Sequence, residues 1–347
     1  MSLTMLKSKN DAYNIMDSIM KGEYDTNKLV GFLVASEVSL LSRGVLRNYL
    51  EAVCNSATYQ IETALFDKPV IDIVGTGGDG KHTANISTLA SLICAATGLV
   101  NVAKYGNRSA SGICGSMDLL EALGIDIELS KEQVISKLKT LQYAPLYARA
   151  IYPGGRFVAD ARKQVSKPTI FNLLFPLARP ILGEQYFIFG CATQEQMDTV
   201  EKIYSKEQNI RCLIVHGFDQ TDEISISGIG KTKFRLIDHG QVEHGVINCK
   251  EIFGISPIDL ELLQVNTKDE AVEIFKKTLE PSIKNKKVEA VRNSALVNAA
   301  VALFIALEEG QTDLRGAKKY FSITQDALVS GKVFKLVENF NHRKDNL

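Results

Sequence analysis

Residues 75–80 read Gly-Thr-Gly-Gly-Asp-Gly, and few folds have a use for such a hexapeptide. Before it lies a short β-branched run, Val70, Ile71, Asp72, Ile73 and Val74, with the character of a buried strand. After it, an apolar stretch from Asn85 to Thr97 has helical character and stops at Gly98. Strand, glycine loop and helix in that order make an anion site. Glycines let the main chain come close to a phosphate, and a helix start offers unpaired N–H groups and a favourable dipole.

Three readings of the loop compete. Gly75, Gly77 and Gly80 satisfy the dinucleotide pattern G-x-G-x-x-G, which expects an acidic residue for a ribose about 20 residues further on. The next strand, expected over residues 99–103, runs into Lys104 instead, and the first carboxylate after it is Asp118. A lysine there suits a phosphate better than a ribose diol. Gly75, Gly80 and Lys81 also fit a P-loop, but His82 stands where Ser or Thr should hold magnesium, which excludes it. A plain turn needs neither four glycines nor an aspartate.

The third reading comes from the residues after Lys104. Residues 104–111, Lys-Tyr-Gly-Asn-Arg-Ser-Ala-Ser, open a second loop of small and polar residues. A short helix comes next, ending in Leu-Glu-Ala-Leu-Gly at 120–124. Two such loops on neighbouring strands face one crevice in an open α/β sheet. The combination of GTGGDG, Asn-Ile-Ser-Thr at 85–88, KxGNRSxS and GSxDxLEALG resembles the anthranilate phosphoribosyltransferases, relatives in fold of the pyrimidine nucleoside phosphorylases.

That resemblance implies an α/β protein with a small helical domain and a larger α/β domain around a central, mostly parallel sheet. The expected bounds are 1–66 and 166–185 for the helical part, and 67–165 and 186–347 for the sheet part. It implies a donor, phosphoribosyl pyrophosphate, held by Gly75, Thr76, Gly77, Gly78, Asp79, Thr83, Asn85, Ser87, Thr88 and Lys104. Magnesium would sit with Ser87, Ser116, Asp222 and Glu223, the last two matching an HGxxxxDE-type motif with His216 and Gly217. The acceptor, anthranilate or another aromatic amine acid, would meet Gly75, Asn107, Arg162, Tyr105, Tyr152, Phe175 and Pro176. Arg162 would grip its carboxylate through two parallel hydrogen bonds. A cytoplasmic homodimer is expected from the family alone.

The acceptor half departs from the family pattern. Tyr105 replaces the histidine of KHGN, Tyr152 replaces another channel histidine, and Phe175 stands for the glycine of GPL. Ala178 and Arg179 stand for Thr-Asn. A phenol offers one donor where a histidine can carry charge, and phenylalanine for glycine fills space. A paralogue with another acceptor is therefore one alternative. A nucleoside-phosphorylase-like reaction and a non-catalytic ligand- or nucleic-acid-binding relative are others.

Composition narrows these choices. Forty Lys plus Arg balance forty Asp plus Glu, so the whole chain has no electrostatic pull on nucleic acid or an anionic membrane. At 347 residues, one large and one smaller domain are expected. Six cysteines, at 54, 94, 114, 191, 212 and 249, are too scattered for a zinc cluster and suit reduced thiols. No leader or long apolar span is evident. Residues 1–4 read as an expression scar.

Local signals place further elements. Helical periodicity covers residues 8–65, and Phe66 to Pro69 crosses into the sheet domain. Ser130 with Gln133 and Thr193 with Gln196 have capping-box form, with helices expected to about Gln142 and Lys206. Residues 143–149 look extended, 157–164 helical, 211–217 a buried strand, and 295–307 an apolar helix carrying Asn298. The charges at Lys284, Lys286, Lys287, Arg343 and Lys344 read as solvated surface. No Ser-His-Asp or Cys-His arrangement is marked, so no covalent nucleophile is expected.

Overall fold

The computed structural model describes residues 9–36, 38–109, 113–165 and 167–342. Residues 1–4, Arg343, Lys344 and the Ala110, Ser111, Gly112 part of the second loop lie outside them. Nine strands are described: β1 (Ile61–Glu62), β2 (Val70–Gly75), β3 (Asn101–Gly106), β4 (Tyr143–Tyr147), β5 (Ile181–Leu182), β6 (Gln185–Gly190), β7 (Ile210–Gly217), β8 (Lys231–Asp238) and β9 (Gln241–Asn248). β1 and β5 form a small parallel pair. The other seven form one sheet in the order β4-β3-β2-β6-β7-β8-β9. The first five run parallel, and the β7–β8 and β8–β9 pairings are antiparallel. The expected α/β class with a mostly parallel sheet is therefore what the chain adopts.

Each face of the sheet has its own core. On one side lie the helices Ile86–Ala96, Lys286–Leu307, Lys318–Val329 and Lys332–His342. The helix Lys286–Leu307 is capped by Asn285, whose side chain accepts from the N–H of Lys287 at 2.9 Å. It starts at Lys286 rather than at Ala295, where its apolar stretch begins in sequence, because Lys286, Lys287 and Arg292 occupy its first turns. Its length and hydropathy would suit a membrane span, but 83% of that window is buried within the protein, as in a core helix. Lys287, expected on open surface, pairs with Glu270 at 2.5 Å.

On the other face sit Lys131–Leu141, Gln194–Tyr204 and the helical layer built from Lys9–Met20, Thr26–Ala35, Arg43–Asn55, Arg156–Gln164 and Phe171–Leu177. Both capping boxes form as read from sequence. The helix Arg156–Gln164, grouped with the sheet in the sequence-based bounds, packs on Thr26–Ala35. Glu207 ties the helical layer to the sheet through Arg43 at 2.5 Å and Arg47 at 3.0 Å. The stretch expected to be extended to Arg149 turns into a short helix, Ala148–Ile151.

Candidate functional site

β2 lies between β3 and β6, so the chain runs outward from it in both directions. That makes the carboxyl ends of β2 and β6 the topological switch point, where open α/β sheets bind ligands. Four strands end there in glycine: Gly75, Gly106, Gly190 and Gly217. Each is glycine because something occupies the place of a Cβ. At Gly75 a Cβ would lie 2.3 Å from Asp222 Oδ2, at Gly106 2.1 Å from Ser116 Oγ, at Gly190 1.5 Å from the Asp222 carbonyl, and at Gly217 2.2 Å from Asp219 Oδ1. Asp222 is thus laid across the tips of β2 and β6.

The loop after β2 needs its glycines for a different reason. Gly77, Gly78 and Gly80 have φ of 63°, 73° and 70°, with nothing within 4 Å of a Cβ, so backbone conformation alone demands them. Asp79 Oδ1 accepts from the N–H of Lys81 at 2.9 Å and closes the turn. The loop then docks on residues 263–265: Ala84 N–H donates to the Leu263 carbonyl at 2.8 Å, and Val265 N–H to the His82 carbonyl at 2.9 Å. Asn85 Nδ2 donates to the Cys114 carbonyl at 3.1 Å, which fastens the first loop to the second. Ser87 is half-buried in the first helical turn, while Thr88 is fully buried and its hydroxyl has no partner among the described residues.

Three carboxyls meet at this loop. Asp222 Oδ2 accepts from Gly77 N–H at 2.7 Å, and its carboxyl also meets that of Asp79. Burial, then the charge of Asp79, pushes Asp222 up to about 6. Burial pushes Glu223 well above the usual range, with Asp222, Asp79 and Asp219 adding to it and a bond to Thr83 opposing it. Asp79 Oδ2 and Glu223 Oε1 are buried without a partner among the described residues. Such a group is relieved by holding a proton, as the raised pKa of Glu223 reflects, or by a cation joining it. Among the described residues no three His, Cys, Asp or Glu make a complete metal cage. Magnesium takes one or two carboxylates and fills the rest of its shell with water and phosphate oxygens.

The Asp222 segment is held from behind. Asn298 Oδ1 accepts from Ile224 N–H at 3.1 Å, and its Nδ2 donates to the carbonyls of Ile224 at 3.0 Å and Ser294 at 2.9 Å. Asp219 accepts from the hydroxyls of Thr221, Ser225 and Ser227. Asn298→Leu leaves both buried backbone groups of Ile224 unpaired, so a loss on the order of 2–4 kcal/mol of stability is expected in urea unfolding.

Lys104 sits differently from the expectation. The strand expected over 99–103 is displaced to Asn101–Gly106, because Gly98, with φ of 74°, ends the preceding helix and the chain passes through Leu99 before pairing begins. Lys104 is therefore inside the strand and 1% exposed. Its Nζ donates to the carbonyls of Ile73 at 2.7 Å and Tyr105 at 3.2 Å, under the glycine loop rather than at its open face. Burial lowers its pKa, opposed by the attraction of Asp72 and Asp222. Ser116 Oγ covers the tip of β3 at Gly106, next to exposed Asn107. Arg108 clamps Glu121, Glu128 and the Tyr147 hydroxyl, and Asp118 accepts from the N–H groups of Ser109 and Gly115.

The acceptor residues fall into two groups. Arg162 has its guanidinium 5.9 Å from the Phe175 ring centre and donates to Asn172 Oδ1 at 3.4 Å. Phe175 stacks on Phe171 at 5.1 Å and closes on Gly155, with Pro176 half-buried beside it. Tyr105 and Tyr152 meet edge to face at 6.3 Å, each 2% exposed, in the layer between sheet and helices. They face Cys54 and Arg179, not an open channel, and neither hydroxyl has a partner among the described residues.

Several residues of the site escape a sequence reading. Asp72 is 4% exposed and accepts from Tyr105 N–H at 3.3 Å; a charge inside a β-branched run is the one signal for it. Gly190 and the bracing role of Asn298 depend on tertiary contacts and have no local mark. All six cysteines are free thiols.

With this geometry, the chain matches the glycosyl transferase family, a/b domain, over residues 67–333. It is 34% identical over 330 residues to the anthranilate phosphoribosyltransferase of Corynebacterium jeikeium, covering 93% of this chain and 85% of that one. To the enzyme of that name from Methanobrevibacter smithii it is 34% identical over 334 residues, covering 95% and 93%. Among solved structures, anthranilate phosphoribosyltransferase from Thermus thermophilus matches with a TM-score of 0.84 and 29% identity, covering 98% and 96%. The Saccharomyces cerevisiae enzyme, solved with PRPP and Mg, shares the fold at a TM-score of 0.83 and 22% identity, covering 98% and 94%.

Proposed function

Because the chain belongs to the anthranilate phosphoribosyltransferase family, we propose that it moves the phosphoribosyl group of phosphoribosyl pyrophosphate onto the amine of anthranilate, releasing pyrophosphate. The observation that carries this is the meeting of the glycine loop with Asp79, Asp222 and Glu223 at the sheet's switch point. In the reaction the bond from ribose C1 to pyrophosphate breaks as positive charge grows on the sugar. The acceptor nitrogen forms the new bond from the opposite face and gives up a proton. The protein's work is to hold, neutralise and align.

The glycine loop from Gly75 to Gly78, whose Thr76 and Gly77 N–H groups are engaged by the Gly190 carbonyl and Asp222, shapes the donor-phosphate cradle, and the Gly78 N–H with Asn85 and Ser87 binds those phosphates; Thr83 and Asp79 orient the loop. Asp222 and Glu223, with Ser87 and Ser116, would hold magnesium, whose charge offsets that of pyrophosphate. Arg162 and Asn107 take the acceptor. Arg162→Ala is expected to raise the acceptor KM roughly tenfold or more while the donor KM holds, in steady-state assays varying each substrate.

The Phe175 ring under the Arg162 guanidinium favours a second reading, in which the acceptor is a different aromatic amine acid. A magnesium-dependent assay of donor loss across a panel of such acids separates the two. Turnover with anthranilate supports the first, and turnover only with another acid supports the second. The six free thiols support a reducing compartment such as the cytoplasm. Val34 and Leu40, 55% and 79% exposed on the helical layer, support a homodimer through that layer. Sedimentation equilibrium at twice the chain mass is the expected result.

A further inference from the structure

Thr76 has its side chain turned away from the loop's open face. Its N–H donates to the Gly190 carbonyl at 2.9 Å, and its hydroxyl donates to Gln196 Oε1 at 3.2 Å. That single amide oxygen also accepts from the N–H groups of Ala192 at 2.8 Å and Thr193 at 3.2 Å. Ala192 N–H is shared with the Thr76 hydroxyl at 3.2 Å. Gln196 thus closes the capping box of the helix Gln194–Tyr204 and fastens the glycine loop to it at the same time.

Local chemistry at position 196 favours a carboxylate. Three donors converge on one oxygen, the helix start attracts negative charge, and glutamate closes capping boxes as well as glutamine does. The loop supplies the opposing consideration. Asp79, Asp222 and Glu223 already crowd it with negative charge. A fourth carboxylate behind Thr76 would repel an anionic ligand on the other side.

We propose that Gln196 is a positioning residue for the donor loop: its uncharged amide oxygen latches Thr76 to the helix start while keeping negative charge away from the phosphates. This rests on the donor-site reading above. The test compares Gln196→Glu and Gln196→Ala with the parent chain, using phosphoribosyl pyrophosphate with magnesium as the probe. Donor Kd by calorimetry, kcat, both KM values and the thermal midpoint are read.

Gln196→Glu should keep or raise the midpoint, leave acceptor KM unchanged and weaken donor binding about tenfold, the Coulomb penalty of one added charge nearby. Gln196→Ala should lower the midpoint and loosen donor binding, and only the first of these defects should be rescued by glutamate. A stably folded Gln196→Glu protein with parental donor Kd overturns the latch. Asp222→Asn is measured alongside. If it weakens donor binding while Gln196→Glu does not, the latch alone falls; if neither changes it, the donor-site reading falls and takes the latch with it.

Discussion

Replacing Asp222 and Glu223 together by alanine is expected to lower kcat roughly a thousandfold and to abolish its response to magnesium, since on the proposed reading both would hold the ion that offsets the charge of the departing pyrophosphate. Relief of the repulsion between two buried carboxyls offsets the lost hydrogen bond from Gly77 N–H to Asp222, so the apoprotein's thermal midpoint should hold or rise. A double variant with parental turnover and magnesium response would remove these residues from the site. The protonation of Asp222 adds a second readout. Its folded-state value, about 6, lies above its ordinary 3.8. Its contribution to apoprotein stability is therefore fully present below 3.8 and is lost as pH rises through about 6. On the proposed reading magnesium would have to displace that proton, so metal-dependent activity should fall as pH drops below about 6. The thermal shift on adding magnesium should likewise be larger near pH 7.5 than near pH 5.

The second large effect belongs to Gly190. A methyl group there would lie 1.5 Å from the carbonyl oxygen of Asp222, and backbone cannot swing aside as a long side chain can. Gly190→Ala should therefore push residues 221–223 off the tip of β6. A fall in turnover of about a hundredfold is expected, with roughly 1–3 kcal/mol of stability lost to overpacking. Gly98→Asn is the matching control. Gly98 has positive φ, 74°, which Gly190 does not, but nothing lies within 4 Å of its Cβ position, and asparagine tolerates that conformation. Parental turnover in this variant, alongside an impaired Gly190→Ala, separates crowding of Asp222 from glycine loss in general.

Much of the donor side is legible from sequence because it is local. The run 70–74, the loop 75–80 and the box residues Thr193 and Gln196 each carry their own turn or capping chemistry, and each forms the expected element. What depends on pairing does not show in the same way. Lys104 reads as a strand-end residue until the register with β2, Ile71 opposite Val102, draws it inside the sheet. The β8–β9 hairpin goes unmarked because its turn is His239 and Gly240, at φ of 48° and 85°, where Asn-Gly would have announced it. Tyr105 and Tyr152 carry their aromatic character openly in sequence. Only the packing of helices over the sheet reveals that they face Arg179 and Cys54.

The glycine tips of β2, β3, β6 and β7 have a consequence for how such a protein diversifies. Recognition built on bare glycine backbone admits almost no substitution, since any side chain at these tips meets Asp222, Ser116 or Asp219. Recognition written in Arg162, Phe175 and their neighbours changes with each codon. One half of the molecule is thereby kept constant while the other is free to drift toward new chemistry, and the two histories need not interfere.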